Sequence, residues 1–356
     1  MHSFLTRRFG AAAAENLGSA VIHGIYAGDS RELSIQAVFP SLVELEREHG
    51  ALSRALLPRW LNSRYAWEYH KLPQRMPITK EFTEHAKGIS IYSFPDGLGE
   101  IVKRIEAELI ASPNVQIWKG TECESISYED GKFVLGLNDS VALHADRLVA
   151  ALPARVLAQL LPTLPHLAHN PSAHIGIVDI VLAPREGTPK LPIDGFGYLV
   201  PRSADNPDDI LGVILDSSAV PNQGSSNFFK LTAMIGGPYW RGFTTFPSKE
   251  DLEARALRAL EHQLGIPKPQ LEEQVRMVRT RVLLDTIPQY LVGHCERIHE
   301  LQDAVKEHFS GLSLIGSSYS GVGVNDCVTS ALDTCEAIAL AEKGKPHRGT
   351  TGLEDI

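Results

Sequence analysis

Basic residues are in deficit: 34 Lys and Arg stand against 43 Asp and Glu, a formal net charge of -9 with a pI of about 5.9. No block of five or more basic residues offsets this, which excludes a nucleic-acid footprint. Cysteine is scarce as well. Cys123, Cys295, Cys327 and Cys335 form no CxxC and no Cys/His cluster at metal spacing, so neither a zinc site nor a disulfide scaffold is expected, and a reducing compartment is the default. Long apolar runs are missing: no window approaches the roughly 18 to 20 residues needed to span a bilayer. The first residues, Met1 to Arg8, show neither a signal-peptide core nor an Arg/Ser-rich transit pattern. Peripheral membrane contact is left open. No carboxylate pair, Ser/His/Asp set or Cys/His set stands out, the histidines are dispersed, and His294 has no identifiable partner. Repeats and low-complexity tracts are also absent.

What is present is an ordinary globular mixture, 43% hydrophobic and 22% charged over 356 residues, enough for one large core or two moderate ones. The first hundred residues read as helical, with a segment around Phe4 to Ile25 broken at Gly28-Asp29. A second helix follows, opened by a Ser41/Glu44 capping box and carrying Leu42, Leu45, Leu52 and Leu56 before Pro58. Between Pro58 and Lys80, Trp60, Tyr65, Trp67 and Tyr69 are mixed with Arg59, Arg64, Lys71 and Arg75, a composition that suits a membrane interface, although an exposed loop with packed aromatics is the reading the composition favours. Phe94 to Gly99 leads into a helix ending near Ile110. Val115 to Lys119 reads as a strand, and two strands around the Asp130-Gly131 turn make a β-meander up to Leu137. Ala145 to Leu152 is an apolar run suited to a strand buried on both faces, with a helix after it through Leu160.

Beyond the Pro-rich stretch Leu161 to Pro171, strands come at hairpin spacing. Ile175 to Leu182, Gly195 to Val200, Leu211 to Asp216 and Phe228 to Ile235 form one largely antiparallel sheet, and Val275 to Leu284 returns as a strand. Ser248 with Asp251 opens an amphipathic helix through Leu264, and a later helix runs from about Gly293 to Phe309.

The chain is organised around Leu312 to Glu342. A short buried strand, Leu312 to Ile315, breaks through Gly316-Ser317-Ser318-Tyr319-Ser320-Gly321 into a helix whose apolar face carries Val328, Ala331, Leu332, Cys335, Ile338 and Ala339. Asn325 or Asp326 is placed to cap it and Gly344 to close it. Such a junction aims unpaired backbone N–H groups and the positive end of the helix dipole at one point. Gly321 and Gly323 leave the turn bare, so a flat ring or a phosphate can approach. A tight turn whose glycines only supply φ > 0 fits the same pattern. GVGVND lacks the third glycine of a dinucleotide fingerprint, and no βαβ unit with a ribose-binding acid follows it, so a Rossmann phosphate loop is rejected there.

Taken in order, HSFLTRRFG from His2, GIYAGDSRELSI from Gly24, FPSL from Phe39, the run Ala145 to Ala154, FGYLVPR from Phe196, LTAMIGG from Leu231, IPQYLVGH from Ile287 and GSSYSGVGVNDC from Gly316 closely resemble the protoporphyrinogen oxidase family of the flavin monoamine-oxidase-like superfamily. The resemblance implies a mixed α/β (α+β) fold. Residues 1–85 would be a helical membrane-facing region, 86–165 and 286–345 two parts of an incomplete Rossmann-like FAD-binding domain, 166–285 an antiparallel-sheet substrate domain, and 346–356 a tail. The activity it implies is oxidation of protoporphyrinogen IX to protoporphyrin IX, with FAD as cofactor and O2 as acceptor. The flavin carries the chemistry, so no catalytic side chain is required. By the same resemblance Ser317, Val322, Gly323 and Val324 line the flavin, and Cys123 meets its adenine end through the backbone, a position a small buried hydrophobe would also fill. Gly197, Leu199 and Met234 lie about the macrocycle, two apolar side chains sandwiching it and the glycine giving it room. The family also implies peripheral contact with the mitochondrial inner membrane, and homodimerisation is an expectation.

Family members begin with a strand, a GxGxxG turn and a helix that hold the ADP part of FAD, and this sequence has none of them. It is expected to be a C-terminal portion, whether a fragment, a mis-started gene model or a truncated paralogue. It would lack the pyrophosphate site and the family's propionate-holding arginine, bind FAD weakly by itself and turn over poorly. Two other readings stay open. An amine oxidase or carotenoid desaturase would need an aromatic pair or a lysine at the flavin, and FGYLVPR argues against it. A non-catalytic dimerisation or regulatory subunit would fold without flavin absorption.

Overall fold

The structure is a computed structural model that describes residues 1–50, 52, 79–87, 93–138, 141–183, 193, 195–220, 228–347 and 349–354. The chain divides into two compact units, Met1–Val38 with Trp118–Ile356, and Phe39–Ile117.

Helix α1 (His2–Phe9) ends at Gly10, and a helical turn, Ala11–Ala13, passes through one π turn, Ala14–Gly18, into α2 (Ser19–Tyr26). Ala27, in the left-handed region at φ 46°, stops α2 one residue before the expected Gly28-Asp29 break. Arg202, the last residue of FGYLVPR, ties this segment down. Its guanidinium donates to Glu15 at 2.7 Å and Asp29 at 2.6 Å, and its backbone N–H donates to the Ser19 hydroxyl.

In the second unit α3 (Pro40–His49) starts two residues too early for a Ser41/Glu44 capping box. Pro40 takes the first helical position, where its missing N–H costs nothing, so Ser41 falls inside the first turn and Phe39 is an N-cap without a side-chain bond. Gly50, at φ 71°, closes this helix. Leu52 is buried, and most of the aromatic and basic stretch from Pro58 lies outside the described residues. Helix α4 (Gly99–Ala111) forms where expected. Val115 to Lys119 does not become a strand. Val115, Ile117 and Trp118 are exposed, and no strand among the described residues offers this stretch a ladder, so β propensity has nothing to pack against. The turn that follows is held instead by Asn138, whose side chain accepts from Glu122 N–H and donates to the Gly120 carbonyl.

Strands β1 (Cys123–Glu129), β2 (Lys132–Leu137) and β3 (Val141–Ala145) form the antiparallel meander around Asp130-Gly131. The apolar run after it yields only a short strand, β4 (Leu148–Ala150), in which Val149 is 41% exposed. Burial on both faces was the expectation. Here Ala150 faces the core and Val149 the opposite side, where no described element covers it. Helix α5 (Ala154–Leu160) follows.

A five-stranded antiparallel sheet, ordered β6-β7-β8-β5-β9, is built from β5 (Ser172–Leu182), β6 (Gly197–Leu199), β7 (Ile210–Ile214), β8 (Phe229–Gly236), and, after helix α6 (Lys249–Leu264), β9 (Val275–Pro288). The Ser248 hydroxyl accepts from Asp251 N–H, so α6 starts at the expected cap. On β5 the even-numbered Val178, Ile180 and Leu182 pack with Leu252, Ala256 and Leu260 of α6. The odd-numbered residues line the other face, where Ile175 packs with Ala27 just past α2.

Helix α7 (His294–His308), strand β10 (Leu312–Leu314) and helix α8 (Val324–Glu342) complete the chain. β10 pairs in parallel with β4, Leu312 opposite Leu148 and Leu314 opposite Ala150, so two segments more than 150 residues apart share one small sheet. A second core joins Phe133, Leu157, Leu301, Val305, Leu314 and Tyr319.

Leu260 is fully buried under the sheet, and Leu143 is exposed on β3. Leu260→Ala should therefore lower the free energy of urea unfolding by about 2–5 kcal/mol, and Leu143→Ala should stay within about 0.5 kcal/mol of wild type. Equal costs would show that α6 does not cover this face.

Candidate functional site

The site grows from the corner between β10 and α8. Ile315 N–H still pairs with the Ala150 carbonyl at 3.0 Å, and Gly316, at φ 101°, turns the chain out of the strand. Ser318 is fixed by Ala154, whose N–H donates to its hydroxyl at 2.9 Å. Gly323 is the N-cap of α8. The carboxylate of Asp326 folds back one turn and accepts from Gly323 N–H at 3.0 Å, so Asp326 caps from inside the helix while Asn325 stands exposed beside it.

This cap supplies a reason for the glycines that differs from the one expected. A Cβ on Gly321, which is at φ 75°, would lie 2.4 Å from the Asp326 side chain, and one on Gly323 would lie 2.9 Å from its carboxylate. The space beside these glycines belongs to Asp326. An anion already sits at the positive end of the dipole, so the corner recruits a ligand less through net charge than through directed N–H groups. In the first turn the N–H groups of Val324 and Asn325 have no intrahelical acceptor. Next to them Val322 is half-buried and Val324 is 54% exposed, continued along α8 by exposed Val328 and Leu332. Apolar side chains beside unpaired N–H groups are what a flat heteroaromatic ring with polar edges requires, so the residues fit such a group.

The corner is braced from behind by two rings of the IPQYLVGH motif. Tyr290 donates its hydroxyl to the Ser317 carbonyl at 2.5 Å, and His294 Nε2 donates to the Tyr319 carbonyl at 2.7 Å. The rings stack, 4.3 Å between centroids and 16° between planes, and both are buried, at 0% and 1% exposure. On its other side His294 Nδ1 accepts from the Asn170 amide at 2.8 Å. His294 therefore has partners on both nitrogens, which no sequence spacing disclosed. Burial above all holds its pKa down at about 4 against an ordinary 6.5. Arg297 and His169 add to that effect, and the bond to the Tyr319 carbonyl and the nearby Glu296 oppose it. Burial also raises the Tyr290 and Tyr319 phenols and pushes Tyr26 up to about 12, with the Asp326 carboxylate adding to the shift for Tyr26 and Tyr290. Behind the corner lies a cavity of about 60 Å³, lined by Arg155, Asn170, Asp285 and Ser317 to Tyr319. The Tyr319 hydroxyl and Asn170 Oδ1 have no protein partner, so the space suits a few bridging waters.

The remaining predicted residues lie on the odd-numbered face of the five-stranded sheet. Leu199 is paired with Gly212, Gly212 with Met234, Met234 with Ile177, and Ile177 with Arg281, one cross-strand row with all its side chains on one face. Leu199 and Met234 are two strand spacings apart, about 10 Å. Leu199 is wedged between two glycines: a Cβ on Gly24 would meet it at 2.6 Å and one on Gly212 at 2.8 Å. It is nevertheless 40% exposed. Gly197, at φ 152°, has a backbone reason of its own, because a Cβ there would lie 2.3 Å from the Val213 carbonyl. The row ends at Arg281, 3.7 Å from Asp179.

Row and corner meet at the end of α2. Ala27 belongs to the apolar cluster that includes Met234. Tyr26, one residue earlier, lies edge-on to Tyr290 at 6.2 Å. Cys123 is not part of this assembly. It opens β1 in the meander, half-buried, its thiol donating to the Ser125 carbonyl at 3.4 Å and its pKa raised by burial. The residues missed from the sequence are Tyr26, Gly212, Tyr290 and Asp326 in its reach-back role. Tyr290 and His294 stood inside a quoted motif, and only their shared string hinted at a common task. Among the described residues there is no group of three or more His, Cys, Asp or Glu able to hold a metal, and no helix is long and apolar enough to cross a membrane.

Comparison with known proteins gives this geometry a context. Residues 1–339 match the family described as flavin containing amine oxidoreductase. The chain is similar to human protoporphyrinogen oxidase, 32% identical over 96% of this chain and 69% of that protein. It is also similar to coproporphyrinogen III oxidase of Bacillus subtilis, 26% identical over 91% of this chain and 64% of that protein. Among solved structures, an Exiguobacterium sp. 255-15 protein assigned as a protoporphyrinogen oxidase superposes with a TM-score of 0.72 at 26% identity. The match covers 95% of this chain and 66% of that one.

Because the folded state holds the His294 pKa at about 4 against 6.5, the unfolded chain binds that proton more tightly. The contribution of neutral His294 to stability is then complete above pH 6.5 and is lost as the pH falls toward 4. In urea unfolding the stability difference between wild type and His294→Gln should narrow across that window. A difference that does not change with pH would show that His294 titrates alike in both states.

Proposed function

The chain belongs to the flavin-containing amine oxidoreductase family, and on that footing we propose that it oxidises protoporphyrinogen IX to protoporphyrin IX with FAD as cofactor and O2 as acceptor. The observation that supports this most directly is the meeting of corner and sheet at Tyr26-Ala27, which places an apolar, N–H-bearing turn and an apolar cross-strand row in one neighbourhood. In this reading residues 86–165 and 286–345, joined through β4 and β10, serve the flavin, and residues 166–285 serve the porphyrinogen. In the same reading residues 1–85 would meet the periphery of the mitochondrial inner membrane, and self-association into a homodimer belongs with it.

When bound, FAD supplies the successive two-electron oxidations, the hydrogens passing through it to O2, which leaves as hydrogen peroxide. The chain's own residues do the positioning. Val322 and Val324 would give the ring an apolar wall, Ser317 and Gly323 would line it, and the N–H groups of the first α8 turn would supply donors to the negative charge that a reduced flavin carries. Cys123, through the backbone of β1, takes the adenine end. Leu199 and Met234 bracket the macrocycle, with Gly197 keeping β6 tight against β7 beside them. Arg281 offers a cation to the substrate's carboxylates at the far end of the row. No side chain is asked to transfer a proton, consistent with an apolar row in which Leu199, Met234 and Ile177 carry no titratable group.

Likeness to a coproporphyrinogen III oxidase makes the more highly carboxylated porphyrinogen the competing substrate. The test is formation of fluorescent porphyrin by the FAD-supplemented chain, offered each porphyrinogen in turn. FAD-dependent product from protoporphyrinogen IX is expected. Met234→Ala and Leu199→Ala should each raise KM about tenfold, the value of roughly 1.5 kcal/mol of lost apolar contact, with a smaller effect on kcat. Turnover of neither porphyrinogen would overturn the proposal, and turnover of coproporphyrinogen III alone would reassign the substrate.

A further inference from the structure

The stacked pair Tyr290 and His294 has a geometry that simple core filling does not require. Buried carbonyls at a strand-to-helix corner need donors, and backbone or water usually supplies them. Here the donors for Ser317 and Tyr319 are the polar tips of two side chains that stack on each other and lie within five residues of the chain. The peptide unit is planar, so holding the carbonyl of residue n also aims the N–H of residue n+1. Tyr290 thereby fixes the plane that carries Ser318 N–H, and His294 the plane that carries Ser320 N–H, the two planes leading into Gly321 to Val324. The pair is itself braced. Asn170 holds the far nitrogen of His294, and Tyr26 lies edge-on to Tyr290. Gln289, next to Tyr290, donates to the Tyr26 carbonyl at 2.8 Å and so fixes the start of the segment.

We propose that Tyr290 and His294 are positioning residues that hold the Ser317 to Val324 turn in the orientation in which it receives the flavin ring. The proposal rests on the flavin reading given above. Neither side chain meets the ring or the substrate; each acts through a backbone carbonyl. The pair also joins this turn to α2, so a shift in the turn is resisted by the helix end that packs with Met234.

Tyr290→Phe separates this role from core filling, because it removes one hydroxyl and keeps the stack. His294→Leu removes both polar partners of that ring, and His294→Gln can return an N–H to the Tyr319 carbonyl. Full-length variants are compared by amide hydrogen exchange over residues 315–324, by titration with free FAD and by the shape of the bound-flavin absorption band. Tyr290→Phe should speed exchange in that peptide about fivefold or more, leave exchange in β5 and α6 unchanged, weaken FAD binding about tenfold and alter the flavin band. His294→Leu should do at least as much, and His294→Gln should recover most of the affinity. Exchange and FAD affinity within about twofold of wild type for both Tyr290→Phe and His294→Leu would overturn the proposal. Faster exchange with unchanged FAD affinity would overturn it too, by leaving a structural clamp with no bearing on the ring. Wild-type chain that takes up no FAD would overturn the flavin reading on which the proposal stands, and the exchange data would show that failure to be distinct from loss of the clamp.

Discussion

Two hydrogen bonds from stacked rings to the carbonyls of Ser317 and Tyr319 are the constraint on which the corner between β10 and α8 depends. A strand that leaves a sheet inside a protein interior exposes backbone acceptors that water cannot easily reach, and each left unpaired would cost about 1–3 kcal/mol. Satisfying them from side chains fixes the corner to whatever carries those side chains, here the start of α7 and the loop before it. The parallel pairing of β4 with β10 leads into that anchor, and the contact of Tyr290 with Tyr26 ties it to the end of α2.

Electrostatics refine what the corner can do. The helix dipole of α8 would attract any anion, but Asp326 already occupies that end. What is left for a ligand is directional: N–H groups aimed outward beside Val322 and Val324. Neutral His294 suits this setting, since a charged imidazole buried behind the corner would compete with Asp326 for control of the local field, and burial keeps the proton off down to a pH of about 4.

The sheet contributes a different kind of rigidity. Leu199 holds its place because α2 and β7 each present a glycine to it, and Met234 because it packs with Ala27 and Leu211 on a face that α6 does not touch. A sheet face half open to its surroundings is ordinarily polar, yet Leu199, Met234 and Ile177 line this one, with charge toward its far end at Arg281, Asp179 and Arg279 and at Asp216, which accepts from the Thr232 hydroxyl. That distribution suits a flat apolar molecule with carboxylates at its rim, and the opposite face, packed on α6, supplies the stability that frees this one for binding.

Much of this was legible in the residue order. Apolar runs at hairpin spacing marked β5, β7 and β8, the Ser248/Asp251 pair marked α6, and the glycine-broken run after Leu314 marked the corner, because local patterns of burial and capping are written in neighbouring residues. The Ser41 capping box failed because Pro40 fits the first helical position better, and the strand at Val115 to Lys119 failed because propensity without a partner makes no ladder. The sequence by itself determined that a strand turns through glycines into the last helix and that an antiparallel sheet precedes it, since those outcomes follow from spacings of a few residues. Only the tertiary structure decided that His294 has partners, that the glycines make room for Asp326, and that Leu199, Gly212 and Met234 share a row. Each of those depends on contacts across chain separations that local spacing cannot encode, from Gly24 to Leu199 and from Asn170 to His294 to Tyr319.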